Sequence, residues 1–430
     1  MPAEKIGLFS TFKFSGLFWA PDQPTEKMSG IFSFDPDEGL ALEVPAIEAR
    51  PEKLFPSKSD SQKPLPVLYG TLDSGSACTL FEADLVHQGS AFGPGPMFVQ
   101  TRRFRISSCC IGAFVNSQDA DAFESFTVHF DKLEEWAGTV PINVERKKEA
   151  DESFTITMPF RTLEFAKADL TDFQVYLRSQ VFLNHKPLGA VAAEYKTLCA
   201  IEPQAPKSYN WVLPLVRRLQ DFFSLCLGSA ILPISIRAFQ SAGQGRPPIG
   251  SEFVFRQIHR ARAEVKRDSM VTWHDLREIL PAILQRWLGK DELRPVQSLL
   301  LGTFYNPSAY VESQFLSLAQ AIESMHRVTK AGKVSFQTRI EELLSDLSSS
   351  TRNKITPDEA EFATSLKQTR NSLTHPGING GTKVLSSPSQ LFHFNQRMIA
   401  LLRVLLLKQI GVPEDTAGAA AVGELDRWLM

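Results

Sequence analysis

From Phe12 to about Ile201 the apolar residues of this chain recur at every second position, and beyond Lys207 they recur every three or four. A strand buries alternate side chains and a helix buries one stripe, so a single segment cannot satisfy both periods. The switch therefore lays a β-rich part and a helical part end to end, an α+β arrangement rather than an alternating α/β one. The stretch Ile201-Glu202-Pro203-Gln204-Ala205-Pro206-Lys207, where prolines interrupt polar residues, reads as the linker at that switch.

Before the switch, FKFSGLFWAP, SGIFSFDPDEGLALEV, VLYGTLDSGSACTLFEADL, FRISSCCIGAF, ESFTVHF and ESFTITMPFRTLEFA are strand-like runs separated by Gly, Pro, Asp and Ser clusters. They predict an antiparallel sandwich or barrel. Past the linker, a helix is expected over Tyr209 to Leu227, a strand pair at Ile231 to Phe239 and Glu252 to Gln257, and a helix opening at Thr272 with Asp275 at its third position. After Asn306 the pattern is helical throughout, with Val311, Phe315, Leu318, Ile322 and Met325 on one face. Phe336 to Leu347 predicts a second helix. Thr356-Pro357-Asp358-Glu359 reads as a capping box with proline at the first helical position that starts a third, and Ser387-Pro388-Ser389-Gln390 gives the same signal for a long final helix. A bundle of about four helices follows. The Ala-rich tail from Thr416 to Val422 is expected to be peripheral or partly ordered. The chain divides on this reading into residues 1–205, β-rich; 206–300, a mixed, mostly helical connector; and 301–430, the helical bundle.

Composition narrows the function classes. The 430 residues include 43% hydrophobic ones, enough for two or three domains. A formal net charge of -2 excludes a uniformly basic nucleic-acid coat, so any RNA contact has to come from a local patch or an assembled interface. Cys78, Cys109, Cys110, Cys199 and Cys226 form an odd set without C-x-x-C spacing, and MPAEKIGLFS has no charged-then-apolar leader, which fits a reducing cytoplasm. Cys109 and Cys110 read as small buried residues on opposite faces of one strand. The apolar run from Met398 to Ile410 is broken by Arg403 and Lys408 and is too short to span a membrane. No H-E-x-x-H, phosphate-binding loop or G-x-S-x-G occurs, so metal, nucleotide and serine-hydrolase chemistry have no support.

The third bundle helix closes on Arg370-Asn371-Ser372-Leu373-Thr374-His375, immediately before Pro376. RNA can be cut without a metal when its own 2′-hydroxyl attacks the adjacent phosphorus. That needs a base, an acid, and positive charge on the phosphorane oxygens. Histidine titrates near neutrality and suits the proton steps, whereas arginine stays protonated and can hold two phosphate oxygens. On an ideal helix a five-residue separation turns two side chains about 140° apart. The residue before a proline is biased away from the α region, so His375 should sit at the helix end and Pro376-Gly377 should turn the chain. One copy supplies one such histidine, and a symmetric dimer supplies two.

RNSLTH within a four-helix segment, preceded by YVESQFLSLAQAIESMHRV, resembles the HEPN ribonuclease superfamily and within it the ApeA-like branch, whose motif has the form R-N-x-x-x-H. Gly16-Leu17-Phe18-Trp19-Ala20-Pro21, Ser29-Gly30-Ile31-Phe32-Ser33-Phe34, Gly39-Leu40-Ala41-Leu42-Glu43 and Tyr69-Gly70-Thr71-Leu72 resemble the β-rich N-terminal domain of ApeA proteins. The resemblance implies an anti-phage defence protein of the abortive-infection kind. Its HEPN domain would cleave RNA without metal or cofactor, and its N-terminal domain would sense a phage-derived trigger or restrain the nuclease. It implies that Arg370 binds the scissile phosphate, that His375 is general acid or base, and that Asn371 orients the phosphate or the groups of a dimer partner. Glu323 would hold Arg370 by a salt bridge.

Each of these residues has a plainer reading. Arg370 and His375 would be a surface arginine and a histidine favoured by the helix dipole, and Glu323, His326 and Arg327 would form ordinary helix-surface ion pairs. The basic run Arg256, His259, Arg260, Arg262, Lys266 and Arg267 would guide RNA phosphates or form a solvated face. His393 and His259 lack partners at ligand spacing, and the N-terminal Phe and Trp residues read as core rather than a ligand cage. The rival to the enzyme is a non-catalytic HEPN-like bundle that serves as a dimerisation and RNA- or protein-docking module.

Overall fold

The computed structural model describes residues 6–47, 64–92, 98–138, 145–148, 154–157, 163–185, 191–243, 245–258, 270–330, 332–375 and 381–429. Its first six strands are β1 (Phe12–Trp19), β2 (Met28–Asp35), β3 (Gly39–Ile47), β4 (Leu65–Leu72), β5 (Ala77–Phe92) and β6 (Phe98–Ile111). They pair in the order β6-β3-β2-β1-β4-β5, and β5 pairs back onto β6, which closes a six-stranded barrel. Alternation puts Phe12, Phe18, Phe32, Phe34, Leu40, Leu42 and Phe104 inside. Gly70 lies opposite Phe18 in the register, and a Cβ there would come within 2.6 Å of the Phe18 ring, so this position is glycine because the ring fills the space. The expectation that the N-terminal aromatic residues form core holds for these phenylalanines.

Six more strands extend the sheet beyond the barrel. They are β7 (Ser125–Phe130), β10 (Leu163–Asp169), β11 (Phe173–His185), β12 (Val191–Pro203), β13 (Pro233–Gln240) and β14 (Ile249–Phe255), with a short helix α1 (Leu133–Ala137) after β7 and a separate pair β8 (Glu145–Lys148) and β9 (Phe154–Thr157). The order β10-β11-β12-β7-β13-β14 joins the barrel at β6. Ser108 to Ile111 of β6 pair with β14, Val99 to Ile106 pair with β3, and β5 runs along the other side of the strand. One long strand thus belongs to both sheet and barrel. Cys109 and Cys110 sit there fully buried, and with Cys78, Cys199 and Cys226 all five thiols are reduced. Burial pushes the Cys78 and Cys110 thiols up to about 12. On β14, burial raises the Glu252 carboxyl to about 7, although Arg237 stands 2.7 Å away.

Two expectations change here. The predicted linker is structured: Ile201–Pro203 complete β12, and Lys207 bridges to Phe123. The sheet also continues past the helix α2 (Tyr209–Leu227), because β13 and β14 return to it. Period two ends at Ile201 because α2 intervenes, not because the sheet is finished.

The helices that follow are α3 (Trp273–Leu276), α4 (Leu280–Gly289), α5 (Arg294–Tyr305), α6 (Val311–Thr329), α7 (Phe336–Ser345), α8 (Ser349–Ile355), α9 (Glu359–Thr374), α10 (Pro388–Ile410) and α11 (Glu414–Leu429). The Thr272 and Ser387 capping boxes form as read. The third start signal is displaced by two residues. Asp358 caps α9 by accepting from the Glu361 N–H at 2.8 Å, while Thr356 ends α8, a helix the periodicity did not reveal. The Ala-rich tail is not peripheral. It lies within α11, where Ala417, Ala420, Ala421, Val422 and Leu425 are buried on the side that packs against α10, since small side chains let two helices approach closely.

Helix α2 packs on β7 of the sheet and also meets α4, α5 and α10, so it forms the seam between the two parts. Its end is closed by Arg403 of α10, fully buried, whose guanidinium donates to the carbonyls of Leu225 at 3.3 Å and Cys226 at 3.4 Å. A buried arginine at a helix C-terminus satisfies orphan carbonyls and complements the dipole. Among the described residues, no helix is long and apolar enough to cross a membrane.

Candidate active site

Helix α6 buries Phe315, Leu318, Ile322 and Met325 along one face, as their spacing requires. That orientation leaves Glu323 on the flank where α9 and α7 arrive. At the end of α9, Arg370 Nη2 donates to Glu323 Oε2 at 3.1 Å, and its guanidinium lies 4.6 Å from the centre of the Phe336 ring on α7. Glu323 Oε1 also accepts from Arg327 Nη2 at 2.6 Å. The motif ion pair and the ordinary i,i+4 pair therefore occur together, on two oxygens of one carboxylate. Arg370 remains 35% exposed. Of its five N–H donors, only one has a hydrogen-bond partner among the described residues.

The last turn of α9 closes on itself. Thr374 Oγ1 donates to the Arg370 carbonyl at 2.9 Å, and the His375 N–H donates to the Asn371 carbonyl at 2.9 Å. His375 then leaves the helix at φ -132 and ψ 78, outside the α region, as a residue before proline must. Its position at the helix end matches the expectation, while Pro376 and Gly377 lie outside the described residues. Asn371 and His375, four apart and both exposed, share one side of the helix end. Arg370 is turned the other way, toward α6 and α7. The structure brings Arg370 and Glu323 together. Among the described residues no contact joins Arg370 to His375, and no hydrogen bond fixes the imidazole.

Three residues behind Arg370 were misread or missed in the sequence. His326, expected on the helix surface, is fully buried. Its Nδ1 accepts from Arg339 Nη1 at 3.0 Å and its Nε2 stands 2.6 Å from Glu342 Oε2. Because a guanidinium only donates, the ring proton belongs on Nε2, where the carboxylate accepts it. Lys330 reaches Asp346 at 2.6 Å along the same seam. These links clamp α7 onto α6 and so fix Phe336 beneath Arg370. The spacing of Phe336, Arg339 and Glu342 at i, i+3 and i+6 was the available signal, but nothing local said that it faced His326.

Of the basic run, Arg256 is exposed just past β14, with its side chain lying along Gly39. His259, Arg260, Arg262, Lys266 and Arg267 lie outside the described residues. Among the described residues, no three His, Cys, Asp or Glu side chains gather as a metal-binding group.

Residues 13–287, more than half of the chain, match the ApeA N-terminal domain 1 family, and residues 310–416 match the Apea-like HEPN family. No curated protein and no solved structure matches the chain. The second match encloses Glu323, the α6–α7 clamp and the whole motif from Arg370 to His375. HEPN domains as a family suggest nuclease activity in general and commonly dimerise. With a barrel-bearing first part that matches one ApeA domain and a helical second part that matches the other, the chain belongs to the ApeA family of HEPN-domain defence proteins.

Proposed function

We propose that this chain is a metal-independent endoribonuclease of anti-phage defence, acting in the cytoplasm to halt an infected cell, which cuts RNA by attack of a 2′-hydroxyl on the adjacent phosphorus. Arg370 holds the scissile phosphate and offsets the charge that grows on the phosphorane oxygens. His375 transfers the proton, and Asn371 beside it orients the phosphate or the groups of a second chain. Glu323 aims the guanidinium. The observation that carries this reading is a guanidinium oriented by Glu323 and Phe336, with most of its donors uncommitted, at the same helix end as an exposed histidine.

Since Arg370 and His375 face different ways on one helix, a complete site takes its acid and base from two chains related by a two-fold axis. Residues 1–205, together with β13 and β14 that complete their sheet, sense infection through a phage-derived trigger, the helices of residues 206–300 connect, and residues 301–430 cut. Arg256, with Arg260, Arg262, Lys266 and Arg267, contributes positive charge along the RNA path.

The test is cleavage of total cellular RNA in EDTA by the purified full chain, beside His375→Ala and Arg370→Ala, with end-group analysis of the products. Cleavage by the wild type alone, leaving 2′,3′-cyclic phosphate ends, is expected. Equal cleavage by all three proteins sinks the assignment of the two residues. The engagement of Arg370 by Glu323 also suits a non-catalytic docking bundle, and RNA bound but left intact by a dimeric wild type would identify that reading.

A further inference from the structure

Helix α10 carries a second arginine and histidine that the motif does not use. His393 and Arg397, one turn apart, line a cleft of 380 Å³ together with Leu385, Gln390 and Phe394. Both Nδ1 of His393 and Nε of Arg397 are buried without a hydrogen-bond partner. Among the described residues neither side chain has an ion pair, and no carboxylate lines the cleft. The Gln390 side-chain oxygen is already committed to the Ser386 and Ser387 N–H groups at 3.2 Å each, which leaves its amide nitrogen as a donor. Phe394 forms an apolar wall, held by stacking on Phe362 of α9 at 4.7 Å.

A permanent cation, an imidazole and an amide donor around one concavity present hydrogen-bond donors to a ligand that brings only acceptors and negative charge. The start of α10 adds the positive end of a helix dipole. The cleft is also tied to the motif helix. The Leu385 N–H donates to Thr369 Oγ1 at 3.0 Å, and Thr369 directly precedes Arg370. Arg370 faces α6 and α7 on one flank of α9, and the cleft opens on the flank that α10 occupies.

We infer that the cleft binds a phosphodiester of the RNA strand away from the bond that is cut, with Arg397 as the charge, Gln390 as a further donor, and His393 giving or taking a hydrogen bond at a phosphate or ribose oxygen. The inference rests on the ribonuclease reading for its ligand and adds a subsite to it.

The experiment separates the two. A short fluorescent oligoribonucleotide carrying 2′-O-methyl groups has no free 2′-hydroxyl, so its anisotropy with the full chain reports binding without cleavage. Arg397→Gln and His393→Gln are each expected to weaken binding, Arg397→Gln by about tenfold. Arg397→Gln should also flatten the dependence of log affinity on log salt by about 0.7, the value for one single-strand phosphate contact. Arg397→Lys, which keeps the charge, should restore that slope. Unchanged affinity and slope in Arg397→Gln, at an unchanged melting temperature, overturns the subsite, as does a wild type that does not bind the oligonucleotide. Inorganic phosphate that protects the cleft while RNA ignores all three substitutions means a small-anion site and overturns it equally. A wild type that binds in this Arg397-dependent way yet leaves unmodified RNA intact supports the subsite and sinks the ribonuclease reading.

Discussion

Inside the barrel Phe12, Phe18, Phe32 and Phe34 meet ring against ring, whereas inside the helical bundle His326, Arg339, Thr369 and Arg403 are buried among leucines. The barrel interior gains its stability from apolar area and shape, which are non-directional and tolerate small shifts. The bundle places hydrogen-bonding groups where each needs one specific partner, and a buried group that loses its partner is costly. The first design makes a durable shape for β1 to β6. The second fixes one arrangement of α6, α7 and α9, which holds the Arg370 guanidinium in one orientation.

Removing volume from the barrel should have the largest effect. Phe32→Ala is expected to cost about 4 kcal/mol in chemical denaturation, and Phe32→Leu much less, because the loss follows the cavity left behind. Equal losses from both would mean that the ring contacts themselves, rather than filled volume, hold the barrel. Removing polarity from the bundle while keeping volume comes next. His326→Leu should cost about 2 kcal/mol, since Arg339 and Glu342 lose their shared partner. It should also lower RNA cleavage more than RNA binding if the clamp positions Phe336 beneath Arg370. A His326→Leu protein as stable as the wild type would erase the contrast between the two interiors.

The effect confined to a pH window lies on β14, where the extended sheet holds its own buried carboxyl. Burial raises Glu252 from the ordinary 4.5 to about 7, with Arg237 and Lys196 only partly offsetting it. The folded chain then holds this proton more tightly than the unfolded one. Its contribution is fully present below about pH 4.5 and is lost as pH rises through about 7. Glu252→Gln should flatten that decline in melting temperature between about pH 5 and pH 7. A decline that survives the substitution assigns it to other groups.

Much of this was legible in the residues. Strands such as β2, with Gly30, Phe32 and Phe34 buried in alternation, announce themselves because one face is wet and the other dry. Barrel closure does not, since the β3–β6 and β1–β4 registers are set between distant segments. The tail became α11 because alanine faces pack without producing an apolar stripe that a period count can see. At the site, the Glu323–Arg370 pair followed from the family resemblance and the helix-end position of His375 from Pro376. The burial of His326 did not, because its partners, Arg339 and Glu342, sit on another helix. His393 looked solitary in the sequence, and only the turn of α10 sets Arg397 beside it.

Gly228 ends α2 at φ +70, and a Cβ added there would stand 2.7 Å from Nη1 of Arg403. The two positions are therefore not independent in descent. A lineage that replaces the glycine must first, or at once, shorten the arginine, and one that keeps the arginine keeps the glycine. Among natural relatives, a side chain at the first position should be found only with a smaller residue at the second, a paired drift readable from sequences alone.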